Sequence, residues 1–356
     1  MPITRRTFTF GLLSSFAVLP ASALTAAPAF AQTLAELEEA ARKEGEIVSL
    51  GCPDDWANWG AQWKAIKAKY GVTHTDTDMS SAEELAKFEA EKANASADFG
   101  EIGIEFGPIA AKKGISAPYK PSNWDKIPAW ARDEEGHWML GYTGTISFLV
   151  SKKVANPPRT WSDLVQGDYK VAVGDVGKAA QSNALVLAAA IALGGGEENL
   201  APAIDLFAKL AEQKRLLTIG ANPGNMEKGE IEVGIVWDFN ALNYRNLVGK
   251  DKFDVWIPSE GSVVSGYTTT INAYSKRPNI AKMTREFIFS EEGQINFARG
   301  FARPILIDHI TLPPDAAENV LPAEQYAKAR PVNSALWMDA AKQLGRQWQE
   351  QVLSKM

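Results

Sequence analysis

The sequence predicts an α/β fold in two lobes joined by two crossover strands, and three observations carry that expectation. Short apolar runs alternate with helical segments along most of the chain, the pattern of an open α/β sheet. Two long strand-like runs, near 144–151 and 262–271, bracket an internal α/β block, so the chain crosses to a second lobe and returns. Without its leader the chain keeps about 325 residues, a length that usually divides into two domains. The expected organisation is a leader over 1–31, a first lobe from 32–146 plus 264–356, and a second lobe over 147–263.

The elements follow in order. Leu34 to Lys43 repeats Leu, Ala and charge at helical spacing and stops at Gly45. Ile47 to Leu50 reads as a buried strand, and a loop then leads into a helix from about Trp56 to Tyr70. His74 to Asp78 is polar and extended. Ser80 or Ser81 caps the next helix, with Glu83 or Glu84 placed for a capping box. Ile102 and Ile104 mark another strand, and Gly107-Pro108 opens a short helix. Ala117 to Trp138 is irregular and rich in Pro and Trp. A long strand, Tyr142 to Ser151, begins the bracketed block. Val171 to Val173 and Val233 to Trp237 are strands inside it, and Ser182 to Leu193, Ala203 to Leu210 and Ala241 to Leu247 are helices. Val263 to Ala273 is the returning strand, with Gly266 and Tyr267 inside it. The last helix, about Ser334 to Leu353, carries Trp337, Ala341, Leu344 and Trp348 on one stripe, read as packing anchors.

The N-terminus sets the compartment. Arg5 and Arg6 precede a weakly apolar stretch from Gly11 to Leu24, followed by Ala29-Phe30-Ala31. That is a signal peptide, and the paired arginines before an aromatic residue give it a twin-arginine character. Pro20 and three serines break the apolar run, which argues against a membrane anchor. The expected location is the periplasm. Removing two arginines and no acid takes the net charge from −6 to −8. Such an acidic chain is poorly suited to nucleic acid or anionic lipid. The one cysteine, Cys52, allows no intrachain disulfide and reads as a small residue at a strand end.

Several segments together resemble the extracellular solute-binding proteins of ABC importers. The likeness is to the branch that includes ferric-iron, polyamine, thiamine, phosphonate and sugar-phosphate binders. The segments are Ala97 to Gly103, the turn Gly114-Ile115-Ser116-Ala117-Pro118-Tyr119, the run Pro158-Arg159-Thr160-Trp161-Ser162-Asp163-Leu164, and Pro278 to Phe287 followed by Ser290-Glu291-Glu292-Gly293-Gln294. The resemblance implies a type II periplasmic-binding-protein fold and binding without catalysis by closure of the lobes. It also implies an importer permease as partner, and the chain is expected to act as a monomer without cofactor. Transferrin-like ferric binders of this group use adjacent tyrosines. Tyr244 stands alone beside Arg245, so iron is disfavoured. His74, His137 and His309 are isolated and show no metal spacing.

Ligands of open α/β sheets gather beyond the carboxyl ends of strands, and that rule selects the candidate loops. After the first strand, Asp54, Asp55, Trp56 and Trp59 combine acids and indoles. They suit a cation or polyol, though acids at a helix start also serve the helix dipole. Ser80 and Ser81 offer hydroxyls and amides, or only a cap. Glu105 and Phe106 follow the next strand. In the second lobe, Asp175, Gln181 and Ser182 flank a helix N-terminus suited to carboxylate or phosphate, near Lys178. Trp237, Asp238 and Asn240 end a strand and suit an amine, or cap the following helix. Tyr142 and Tyr267 sit at the crossovers, where they bind ligand or lock the hinge.

The expected function is capture of a small polar solute, with a cationic or zwitterionic, polyamine-like amine favoured. The alternatives are a sugar or polyol phosphate, a phosphonate, or a periplasmic enzyme on the same fold. The enzyme reading lacks a G-x-S-x-G elbow, a phosphate loop and an H-E-x-x-H helix.

Overall fold

The computed structural model describes residues 32–356, so the expected leader over 1–31 lies outside the described residues. Two sheets organise the chain. The first has the order Thr73–Thr77, Glu46–Leu50, Phe99–Gly103, Tyr267–Ile271, Trp138–Leu140. Its first three strands are parallel, so their carboxyl ends share one edge. Tyr267–Ile271 runs antiparallel to both of its neighbours. The second sheet orders Ala329–Pro331, Ser262–Ser265, Tyr142–Ser151, Val233–Trp237, Val171–Ala172 and Leu216–Leu217, with Phe253–Trp256 and Arg303–Pro304 paired to the long strand.

The chain passes between the sheets directly at Gly141 and at Gly266, and a third time between Ile271 and Arg303. The long strand Tyr142–Ser151 occupies the expected residues and is buried throughout. The returning strand, expected as one piece from Val263 to Ala273, is two. Ser262–Ser265 pairs in the second sheet and Tyr267–Ile271 in the first. Gly266 makes the change of sheet possible. A Cβ there would stand 2.8 Å from the Tyr142 carbonyl oxygen, so the two crossovers touch only because glycine is present.

The segment after Pro304 departs from the expected division, which placed all of 264–356 in the first lobe. Its strand Ala329–Pro331 extends the second sheet beside Ser262–Ser265. The terminal helix Ser334–Gln351 lays Trp348 against Phe207, their rings 5.3 Å apart, and also reaches the Ile104–Phe106 turn of the first lobe. Apolar demand explains the choice: Trp337, Leu344 and Trp348 are buried on one stripe, as their spacing requires.

The irregular stretch between Ala117 and Trp138 is held by Arg285, a fully buried side chain. Its guanidinium donates to the carbonyl oxygens of Tyr119, Gly136, His137 and Thr269. Burial draws its pKa down to about 9, and four carbonyl dipoles stand in for a carboxylate. No helix among the described residues is long and apolar enough to cross a membrane.

Candidate functional site

A cavity of about 380 Å³ opens where the carboxyl ends of the first lobe's parallel strands face the second lobe. One wall comes from the loop after Glu46–Leu50, with Gly51, Pro53, Asp55 and Trp56. The next comes from Asp78 to Ala82 and from Phe106. Lys178, Ala179 and Ala180 close it from the second lobe, and Tyr267 and Glu101 lie on its inner surface. A second cavity of about 420 Å³ shares Ser80, Ala82, Phe106, Lys178 and Ala180 with the first. It runs on past Glu105 and Asn183 to Met338, Ala341 and Lys342 of the terminal helix.

Two helix N-termini meet at the first cavity. Helix Ser81–Glu91 starts there with Ser80 at its cap, and Glu83 accepts from the Ser80 amide at 2.9 Å and from its hydroxyl at 2.7 Å. The expected capping box is therefore present. The Ser81 hydroxyl accepts from the Gly103 amide at 2.9 Å, which ties the helix start to the neighbouring strand. Helix Ala180–Ala192 starts on the opposite wall, and no side chain caps it. Its first-turn amides have no intrahelical acceptor, and their dipoles favour negative charge. Lys178 stands just before this helix, exposed and 3.1 Å from Asp175.

The acids behind the cavity are buried and unpaired. Glu101, in the middle of the buried strand Phe99–Gly103, is 2% exposed. Its Oε2 accepts from Trp59 Nε1 at 2.9 Å and from the Tyr142 hydroxyl at 2.9 Å, while its Oε1 has no partner. The Tyr142 hydroxyl in turn accepts from Trp56 Nε1 at 2.8 Å. Burial pushes Glu101 up to about 8, against the pull of those two donors. Glu84 lies beside it, wholly buried, in space that Gly51 and Gly100 leave open. A Cβ at either glycine would collide with a Glu84 carboxyl oxygen. Burial, then the charge of Glu101, raises Glu84 well above the carboxylate range. Burial also pushes Glu105 up to about 7. Among the described residues, no lysine or arginine forms an ion pair with Glu84, Glu101 or Glu105. A buried carboxyl without a cation sheds its charge by holding its proton.

The structure brings Asp55, Trp56, Ser80, Ser81, Phe106 and Tyr267 together on the first cavity, and Glu105 on the second. The other expected residues lie off both walls. Trp59 is core: it stacks on Trp63 at 5.0 Å and orients Glu101. Tyr142 is fully buried behind the cavity. Asp54 is exposed beside the start of the next helix, its backbone oxygen accepting from Gly60. Asp175 is spent on Lys178. Gln181 accepts from the Trp237 amide and from Asn240 Nδ2, which fastens the second-lobe strand end to the uncapped helix. Ser182 is buried behind Gly174. Trp237 is core, and Asp238 is enclosed, accepting from the Thr145 amide and the Tyr326 hydroxyl. Asp238 and Asn240 lie in the first turn of helix Asp238–Val248, which starts before the expected Ala241.

Sequence reasoning missed Glu101, Asp78 and Met79, and it named Lys178 only in passing. The signal for Glu101 was present: one acid inside Phe99-Gly100-Glu101-Ile102-Gly103, a run otherwise apolar or glycine.

A two-sheet, two-crossover fold with a cleft at the strand ends is the architecture of solute-binding proteins. Residues 96–335 match the family described as bacterial extracellular solute-binding protein, and the chain belongs to that family. It is 29% identical over 170 residues to the sulfate-binding protein of Salmonella typhimurium, across 46% of this chain. It spans 52% of the length of that relative. Among solved structures it resembles the periplasmic binding protein AfuA of Actinobacillus pleuropneumoniae, which has exogenous fructose-6-phosphate bound. That match has a TM-score of 0.69 and 19% identity, and it covers 86% of this chain and 98% of the other. The ferric binding protein of Campylobacter jejuni matches with a TM-score of 0.65 at 16% identity, over 85% and 98% of the two chains. At those identities the two structures speak for the bilobed fold alone.

Proposed function

We propose that the chain is the solute-binding component of an ABC importer and that its ligand is a small organic oxyanion, a sugar or polyol phosphate or a phosphonate. The observation that carries this reading is the pair of helix N-termini, Ser81–Glu91 and Ala180–Ala192, facing one cavity from opposite lobes. Helix starts favour anions, and Lys178, paired with Asp175, stands at the edge of the cavity. Of the acids that suggested an amine, Asp54 lies off both cavity walls, and Glu105 and Asp238 are buried, with burial raising both. Glu84 and Glu101 are likewise buried without cations, and burial raises both. A cavity of about 380 Å³ continuing into one of about 420 Å³ exceeds the needs of a bare sulfate or phosphate and leaves room for an organic body. Trp56, Phe106 and Tyr267 offer flat walls for it. The sulfate-binding relatives support an oxyanion as ligand.

An ammonium on the same molecule is the second reading, because Asp55 and Asp78 on the cavity wall are exposed and form no ion pair among the described residues. A thermal-shift series separates the two. Sugar phosphates and phosphonates raise the melting temperature by mass action, and polyamines do not. A shift with polyamines alone contradicts the oxyanion reading.

The role is capture and delivery by a monomer, without catalysis and in the periplasm after twin-arginine export. Replacing Arg5 and Arg6 with lysine is expected to stop export. Normal secretion of that variant points to another route.

A further inference from the structure

The acid chemistry behind the cavity gives the proposed site a further property. Glu101 carries two unlike oxygens. Oε2 is saturated by the Trp59 indole and the Tyr142 hydroxyl, both donors, so it acts as an acceptor. Oε1 has no partner, the residue is 2% exposed, and Glu101 belongs to the cavity wall. An oxygen in that position is satisfied in one of two ways: as a carboxylate facing a cation, or as an O–H facing an acceptor. The surroundings favour the second. The groups facing Glu101 are Glu84 from helix Ser81–Glu91, Asp76 from strand Thr73–Thr77, Cys52 from the preceding loop, and Tyr142 and Tyr267 from the two crossovers. None of these is a cation, and two are carboxyls. Asp55, Asp78 and Lys178 stand further out on the same cavity wall, and Glu105 on the adjoining one. Two carboxyls side by side without a cation cannot both be ionised.

Resting on the oxyanion reading above, we propose that Glu101 is a specificity-determining donor: its protonated Oε1 gives a hydrogen bond to the bound ligand, so that ligand capture and proton retention are linked. The ligand atom that meets it is an acceptor, a phosphoryl or hydroxyl oxygen. Ionising Glu101 replaces that donor with a second negative charge facing an anion, and the ligand leaves. Burial places the free protein's Glu101 near 8, so the linkage falls in an accessible range.

The test is calorimetric titration of the full mature chain with fructose 6-phosphate and with sulfate from about pH 6 to pH 9.5. The two probes keep a constant charge above about pH 7.5. Affinity is expected to be level up to about pH 7.5 and then to fall, approaching tenfold per pH unit above the Glu101 midpoint. Glu101→Gln keeps an oxygen acceptor for Trp59 and Tyr142 and puts an N–H where Oε1 stood. It is expected to bind up to about tenfold more weakly at pH 6, yet with a level profile. Glu84→Gln and Glu105→Gln are expected to keep the fall. Binding by the wild type with a level profile overturns the proposal and leaves the oxyanion reading standing. So does a fall that survives in Glu101→Gln or vanishes in Glu84→Gln. Failure of every oxyanion to bind at any pH overturns both.

Discussion

Asp238 accepts from the Thr145 amide at 2.9 Å and from the Tyr326 hydroxyl at 2.7 Å, and only 1% of it is exposed. It joins the long crossover strand, helix Asp238–Val248 and the C-terminal segment at one point. Burial pushes it up to about 6, against the pull of its donors. Asp238→Ala is therefore expected to cost about 2 kcal/mol or more in urea unfolding, because two buried donors lose their acceptor. Asp238→Asn keeps an acceptor and costs less. The pH sign follows from a folded value above the ordinary 3.8. The folded state holds the proton longer than the unfolded state, so this group's contribution is complete below about pH 4 and is lost as pH rises through about 6. The stability gap between wild type and Asp238→Asn, which does not titrate, narrows over that interval. Loss of ligand binding by Asp238→Ala with unchanged stability contradicts this structural role. Glu101 follows the same physics with a different outcome, because one of its oxygens has no partner and the residue belongs to the cavity wall.

At the scale of elements, what sequence could show depended on whether the cause was local. Tyr142–Ser151 and Val233–Trp237 stand where apolar runs bounded by turns placed them, and Ser80 with Glu83 forms the capping box their spacing announced. The uncapped start of helix Ala180–Ala192 was legible as an anion-suited N-terminus, though its neighbours Asp175, Gln181 and Ser182 proved to serve the fold. Other features needed the tertiary arrangement. The break at Gly266 is invisible in a strand-like run, since the reason for glycine is the Tyr142 carbonyl of the other crossover. Trp59 and Trp63, four residues apart on one helix, carried the period of a core stripe, but Asp54 and Asp55 before Trp59 suggested a binding platform for that residue. Loop composition cannot tell an acid that faces solvent from one that faces a backbone amide, and Asp238 fell on the wrong side of that line. The burial of Glu84, a candidate partner of the helix cap, was not legible because its space is made by Gly51 and Gly100, which lie on two other segments.

At the scale of the molecule, the two sheets present their strand ends and two helix starts to one cleft, and the chain crosses directly between them at Gly141 and Gly266. The terminal helix Ser334–Gln351 packs on the second lobe and touches the Ile104–Phe106 turn of the first, so it bridges the two lobes. The proposed oxyanion belongs between the two helix N-termini, and its position can be measured. Crystals of the mature chain grown with selenate, a heavy analogue of sulfate, report its position through the anomalous signal of selenium. A selenium peak is expected in the cavity beside Ser81, Ala82 and Ala180 at the two helix starts. Selenate bound only at other surfaces, with an amine ordered against Asp55 and Asp78 instead, would contradict that placement.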